Sequence, residues 1–127
     1  MSIPSNLFYT QEHEWVADPS SSPARVGITA FAANALGDVV FVDLPDVGAA
    51  LTAGAPCGEI ESTKSVSEIF SPLNGTVVEV NAEVVDAPEL VNDDPYGKGW
   101  LFAVQPSQPI PSLLDAAAYA ALPDVAQ

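Results

Sequence analysis

Glycine and proline decide what the middle of this chain can fold into. Gly48, Gly54, Pro72 and the pair Asn74-Gly75 divide residues 47–85 into short β-rich runs separated by tight turns. The strands expected there are 50–51, 55–60, 66–70 and 76–80. The two arms around the centre echo each other roughly. "LTAGAPCGEIES" runs into Lys64 and "IFSPLNGTVVEV" runs out of it, each pairing a Gly-containing turn with a β-rich stretch. Two such halves meeting at a hairpin place Lys64 at its tip.

The flanks carry the same kind of signal. Residues 7–9 and 13–17 read as strands around a polar turn, "DPSSSPA" as a loop, and 25–28 as a short strand. Thr29 is positioned to cap a helix over 30–36, with Gly37 just past its end. "DVVFVDLP" is the strongest strand signal, apolar on both faces and stopped by Pro45. "DAPELVNDD" holds one helical turn starting at Pro88, "PYGKGW" is a turn, and "LFAV" is a final strand. "SLLDAAAYAALP" predicts a C-terminal helix over about 112–122, capped by Ser112 and stopped by Pro123. Its expected sheet-facing side is Leu113, Leu114, Ala117 and Ala121. The fold class is therefore mainly β, with short helices at the periphery. A length of 127 residues predicts a single domain over 1–127, with its core at about 7–105.

Charge narrows the partners. Seventeen acidic residues against three basic ones leave a formal charge of −14. Such a surface repels phosphate backbones and anionic lipid heads, so neither nucleic acid nor membrane is an expected partner. Basic protein faces are favoured, although scattered carboxylates also serve simply as a solvated surface. Cys57 is the only cysteine and His13 the only histidine, which rules out an internal disulfide and argues against a typical zinc site. Residues 1–10 have neither a basic start nor an apolar core, so a signal peptide is not expected there. The expected location is cytoplasmic, with an organelle protein stripped of its transit segment as the alternative.

A lysine in a hairpin turn is ordinarily a solvated charge with no special role. Three features set Lys64 apart. Only Arg25 and Lys98 share its charge. Ser62, Thr63 and Ser65 flank it, with Glu61 three residues before and Glu68 four after. Both neighbouring strands are well specified, so the turn is held. These are the requirements of a modification site: an enzyme must reach the amine, and a tethered group on a rigid base reaches several partners at high effective concentration.

The chain resembles the H proteins of the glycine cleavage system. The resemblance rests on "YTQEHEWV", "VGIT" followed by "LGDVVFVDLP", "GEIESTKSVSEI", the pattern SP-x-x-G-x-V-x-E-V-N, "PELVN" and "PYGKGWL", in order from about Phe8 to Leu101. It implies a barrel-sandwich hybrid, the flattened barrel of two sheets found in lipoyl and biotinyl carriers, with lipoic acid in amide linkage to Lys64. Biotin carriers have Met on both sides of the lysine, where this chain has Thr63 and Ser65. Lipoyl domains of 2-oxoacid dehydrogenases usually read Asp-Lys-Ala and lack the "HEWV" and "PYGxGW" ends. They remain the alternative reading, together with a lipoyl-relay role.

The resemblance also implies the chemistry. A non-catalytic carrier takes the aminomethyl group of glycine from the pyridoxal-phosphate glycine decarboxylase to the tetrahydrofolate-dependent aminomethyltransferase. Dihydrolipoamide dehydrogenase then reoxidises it, and a lipoate-attaching enzyme loads the lipoyl group. An enzyme is disfavoured from the residues themselves: there is no Ser/His/Asp set, Gly-rich phosphate loop or metal cluster. The loaded arm ends in an amine that is cationic at neutral pH, so carboxylates are its natural shelter. By resemblance these are Glu14 and Glu68, with Glu12 as a weaker candidate. Each is otherwise an ordinary surface carboxylate. His13 is expected to fix the local backbone. Some family members carry a second histidine where this chain has Ala35. Trp15 and Trp100 are expected in the core.

Docking driven partly by the charge of −14 is salt-sensitive, because exposed charges are screened beyond about 8 Å at physiological ionic strength. Apparent affinity for glycine decarboxylase is expected to fall as salt rises. A flat titration means that the acidic surface only keeps the protein soluble.

Overall fold

The computed structural model describes residues 4–17, 23–107, 113–123 and 125. Nine strands among them form two antiparallel sheets. In the larger, β1 (Leu7–Tyr9), β2 (Glu14–Ala17) and β3 (Ala24–Ile28) continue into β9 (Phe102–Pro106), β8 (Gly75–Val80) and β5 (Ala50–Leu51), in the order β1-β2-β3-β9-β8-β5. The smaller sheet is β4 (Val39–Asp43), β6 (Pro56–Ser62) and β7 (Val66–Phe70), in the order β4-β6-β7. The arrangement is the expected barrel-sandwich hybrid, two sheets that do not close on each other.

Apolar residues of both sheets meet in one core. Val26, Ile28, Val77, Phe102 and Val104 come from the larger sheet, and Val42, Ile60 and Ile69 from the smaller. Each such side chain, fully buried, contributes roughly 1.5–3 kcal/mol. A second cluster, Leu7, Tyr9, Trp15 and Tyr119, joins β1 and β2 to the C-terminal part of the chain. This explains why β2 lacks polar alternation. Val16 belongs to the main core and Trp15 to the second cluster, and both are buried.

Helix α1 (Ala30–Leu36) has the expected residues and caps: Thr29 Oγ1 accepts from Ala32 N–H, and Gly37 closes the helix with φ 82°. Three local readings change. In β4, a register shift between Val39 and Phe41 leaves Val40 and Phe41 about half exposed, so this strand is not apolar on two buried faces. The helical turn expected from Pro88 is α3 (Leu90–Asp93), and a second short helix, α2 (Ala82–Asp86), precedes it. Asn81 caps α2 by accepting from Glu83 N–H, while its amide donates to the carbonyls of Lys98 and Trp100.

The C-terminal helix is shorter than expected. It is α4 (Ala116–Ala120), with Asp115 as its cap, and Ser112 lies outside the described residues. The backbone of Leu114 pairs instead with that of Tyr9, in both directions, so Leu114 is extended. The buried face turns accordingly. Tyr119 is fully buried, and Ala117 and Ala121 are exposed.

Gly27 pairs with Trp15 across β2 and β3, and a Cβ at Gly27 would sit 2.6 Å from the indole. Gly27→Ala therefore forces the ring of a buried Trp to move. The expected loss is about 1–3 kcal/mol, measured by urea unfolding.

Candidate functional site

Lys64 stands where the punctuation placed it, in the turn between β6 and β7, and it is exposed. The turn is braced by a single hydroxyl. Ser62 Oγ donates to the carbonyl of Ser65 (3.1 Å) and accepts from the N–H groups of Lys64 (3.2 Å) and Ser65 (3.1 Å). The Ser62 N–H also donates to the Ser65 carbonyl, and Thr63 N–H reaches the carbonyl of Asp38 at the mouth of β4. Such side-chain-to-backbone bonds hold a short turn in one shape.

The lysine stem is not free-standing. Its Cε lies 3.0 Å from the point a Gly37 Cβ would occupy, so the stem passes over the bare backbone at the end of α1. Asn92 on α3 fixes that backbone. Its amide donates to the Gly37 carbonyl (2.8 Å), and its carbonyl oxygen accepts from Val39 N–H (2.9 Å). Ser62, Gly37 and Asn92 were not singled out as site residues from sequence. Their signals were present: a hydroxyl two residues before the lysine, a Gly at a helix end, and the last residue of "PELVN".

The three carboxylates proposed from sequence come together. Glu12, Glu14 and Glu68 all line one cavity of about 190 Å³ beside α1, whose apolar lining includes Ile28, Phe31, Leu36 and Ile60. Ala35 lines it too. A larger cavity of about 360 Å³ shares Glu12 and Glu14 with it. Glu12 and Glu68 are exposed.

Glu14 is not an ordinary surface carboxylate, being only 2% exposed. One oxygen accepts from the Thr10 hydroxyl (2.9 Å) and the other from the backbone N–H of Phe70 (3.0 Å). It thus ties β2 of the larger sheet to β7 of the smaller. Burial pushes its pKa up to about 7, and the Phe70 and Thr10 bonds oppose that rise.

His13 has φ 67°, in the left-handed region that His tolerates better than most side chains. Its N–H donates to the Thr10 carbonyl and its carbonyl accepts from Thr29 N–H, so it does order the local backbone. Trp15 is buried as expected, with Nε1–H donating to the Pro95 carbonyl, and Trp100 is half-buried beneath the Arg25 guanidinium. Lys98 lies in a separate exposed turn. Burial pushes the Cys57 thiol up to about 12, leaving it unreactive at neutral pH. Among the described residues, no group of three or more His, Cys, Asp or Glu is placed to hold a metal. No helix among them is long and apolar enough to cross a membrane.

Two open sheets with an exposed lysine on a braced hairpin have the architecture of the lipoyl-carrier fold. The chain belongs to the glycine cleavage H-protein family, whose model matches residues 7–124. It is 64% identical over 122 residues to the glycine cleavage system H protein of Beutenbergia cavernae, covering 96% of this chain and 97% of that one. It is 57% identical over 122 residues to the H protein of Thermobifida fusca, covering 96% of each. The crystal structure of a glycine cleavage system H protein from Mycobacterium marinum superposes with a TM-score of 0.87 at 50% identity, covering 93% of this chain and 96% of that chain.

The Glu14 pKa makes a signed prediction. The unfolded chain releases this proton near the ordinary 4.5, and the folded chain only at about 7. Between those values the folded state holds more protons, so this group's contribution to stability falls as pH rises. Glu14→Gln lacks the titration. Its stability relative to wild type is expected to improve by up to about 3 kcal/mol between pH 4.5 and 8, measured by urea unfolding. A pH-independent difference means the carboxylate ionises freely in the fold.

Proposed function

We propose that this chain is the lipoyl carrier of a glycine cleavage system, with lipoic acid joined by an amide to the Nζ of Lys64. Its partners on this reading are glycine decarboxylase, the aminomethyltransferase, dihydrolipoamide dehydrogenase and a lipoate-attaching enzyme. The chain itself catalyses nothing. The observation that carries the reading is spatial: an exposed lysine on a braced hairpin lays its stem over Gly37, and the adjoining Leu36 lines a cavity that gathers Glu12, Glu14 and Glu68.

The residues fit such a group. The amine is exposed to an attaching enzyme, and the turn beneath it keeps its shape through Ser62 rather than through the lysine itself. Gly37 leaves room for the stem. The cavity offers an apolar lining for a hydrocarbon arm and carboxylates for a cationic load. When bound, the lipoyl group supplies a disulfide–dithiol couple and carries the one-carbon amine of glycine between enzymes.

The chain's own contribution is shelter and release. Glu14 sits near the midpoint of its titration at neutral pH, already hydrogen-bonded as its ionised form prefers. A cation entering the cavity draws off the remaining proton to water and is held by the resulting charge. An uncharged arm gains no such hold. A buried carboxylate that costs stability is a common sign of a working site. Glu68 and Glu12, being exposed, contribute the weaker hold of solvated charges.

The test is attachment and turnover together. Lys64→Arg is expected to fold normally and to remain unmodified when expressed with lipoate and its ligase, as read by intact mass. It is also expected to support no glycine decarboxylation in the reconstituted system. A lipoyl mass mapped to Lys98 overturns the assignment.

A further inference from the structure

We propose that Tyr119 is a positioning residue for the arm cavity, holding its wall in place from the C-terminal helix. This rests on the reading that the cavity shelters the loaded arm. Three observations converge on one hydroxyl. Tyr119 is fully buried, although α4 is short and the residues on either side of Tyr119 are exposed. Its Oη lies 2.8 Å from Nδ1 of His13 and 2.8 Å from Oγ1 of Thr29. Those two partners sit at the two segments that build one side of the cavity. His13 lines it directly, and Thr29 caps α1, which supplies Phe31, Ala32, Ala35 and Leu36.

The chain of contacts runs from Thr29 Oγ1 through Tyr119 Oη to His13 Nδ1, its direction following the imidazole tautomer. The imidazole in turn rests on Phe31, with ring centroids 4.7 Å apart. The Tyr119 ring is clamped separately, stacked on Tyr9 at 4.7 Å with planes 16° apart. Leu114 locks the start of the segment to Tyr9 through two backbone bonds. Ring stacking and backbone pairing therefore hold the tail on the body without the hydroxyl. What the hydroxyl adds is aim: it couples the Thr10–His13 turn, which carries Glu12 and leads into Glu14, to the first turn of α1. Both edges of the cavity are then fixed relative to each other, so the carboxylates face a space of constant width.

Tyr119→Phe removes the hydroxyl and keeps the stacked ring. Tyr9→Phe is the matched control, since the Tyr9 hydroxyl donates to the Pro4 carbonyl and not to the cavity wall. In the unmodified chain, the signal of the only imidazole is expected to shift by NMR in Tyr119→Phe. Amide exchange at Ala32 and Ala33 is expected to quicken roughly fivefold to tenfold. Tyr9→Phe should leave both unchanged. In the lipoylated, glycine-loaded protein, spontaneous formaldehyde release is expected to rise by a similar factor in Tyr119→Phe alone. His13→Asn keeps a residue that tolerates the left-handed backbone and approaches the same contact from the other side. The double variant is expected to release no faster than His13→Asn by itself.

Unchanged imidazole and exchange signals in Tyr119→Phe overturn the proposal, as does an equal effect of Tyr9→Phe. So does a double variant whose effects simply multiply. A wild-type protein that releases as fast as loaded lipoamide in solution overturns the shelter reading itself. Unaltered release in Tyr119→Phe from a wild type that does shelter overturns only the role of Tyr119.

Discussion

One carboxylate joins the two halves of this molecule at the place where they matter most. Glu14 belongs to the larger sheet, but one of its oxygens accepts the backbone N–H of Phe70 in the smaller. That N–H lies on a strand at the edge of its sheet, and Glu14 satisfies it without a ladder partner. The cost is desolvation of a charge, which raises the pKa of Glu14 to about 7. An amide or hydroxyl would make the same tie with less penalty. On the proposed function, a group that titrates near neutral pH does something those groups cannot: its charge responds to a cation that enters the cavities it borders.

On the proposed lipoyl assignment, the hairpin solves a different problem. A modification site must be reachable, yet a swinging group works best on a base that does not swing with it. Here the amine is exposed, while its turn is fixed by Ser62 from within and by the Asp38 carbonyl from outside. Gly37 and Asn92 extend this support beneath the stem, because a helix end with φ 82° and no side chain lets the lysine lie close. At the C-terminal end, Leu114 and the stacked Tyr9–Tyr119 pair hold a short helix that local bonds alone would not sustain.

The sequence by itself determined what is local. Thr29 and Gly37 bounded α1 because capping and positive φ depend on single residues. The runs 7–9, 50–51 and 66–70 matched β1, β5 and β7 because turn residues stop strands wherever they stand. Lys64 at a tip followed from two strand signals with a short polar run between them. What only the tertiary structure decided was everything requiring distant segments to meet. Composition leaves Glu14 as one acidic residue among seventeen; the family resemblance named it, but its burial appears only once Phe70 lies opposite. "SLLDAAAYAALP" reads as one helix from Ser112, but the pairing of Leu114 with Tyr9 outweighs its helical propensity and leaves Asp115 to start the helix. The buried face then falls on Tyr119 rather than on the alanines, because an aromatic ring facing Tyr9 gains far more contact than a methyl does. Propensity is written residue by residue, whereas burial belongs to pairs of segments that the chain order keeps apart.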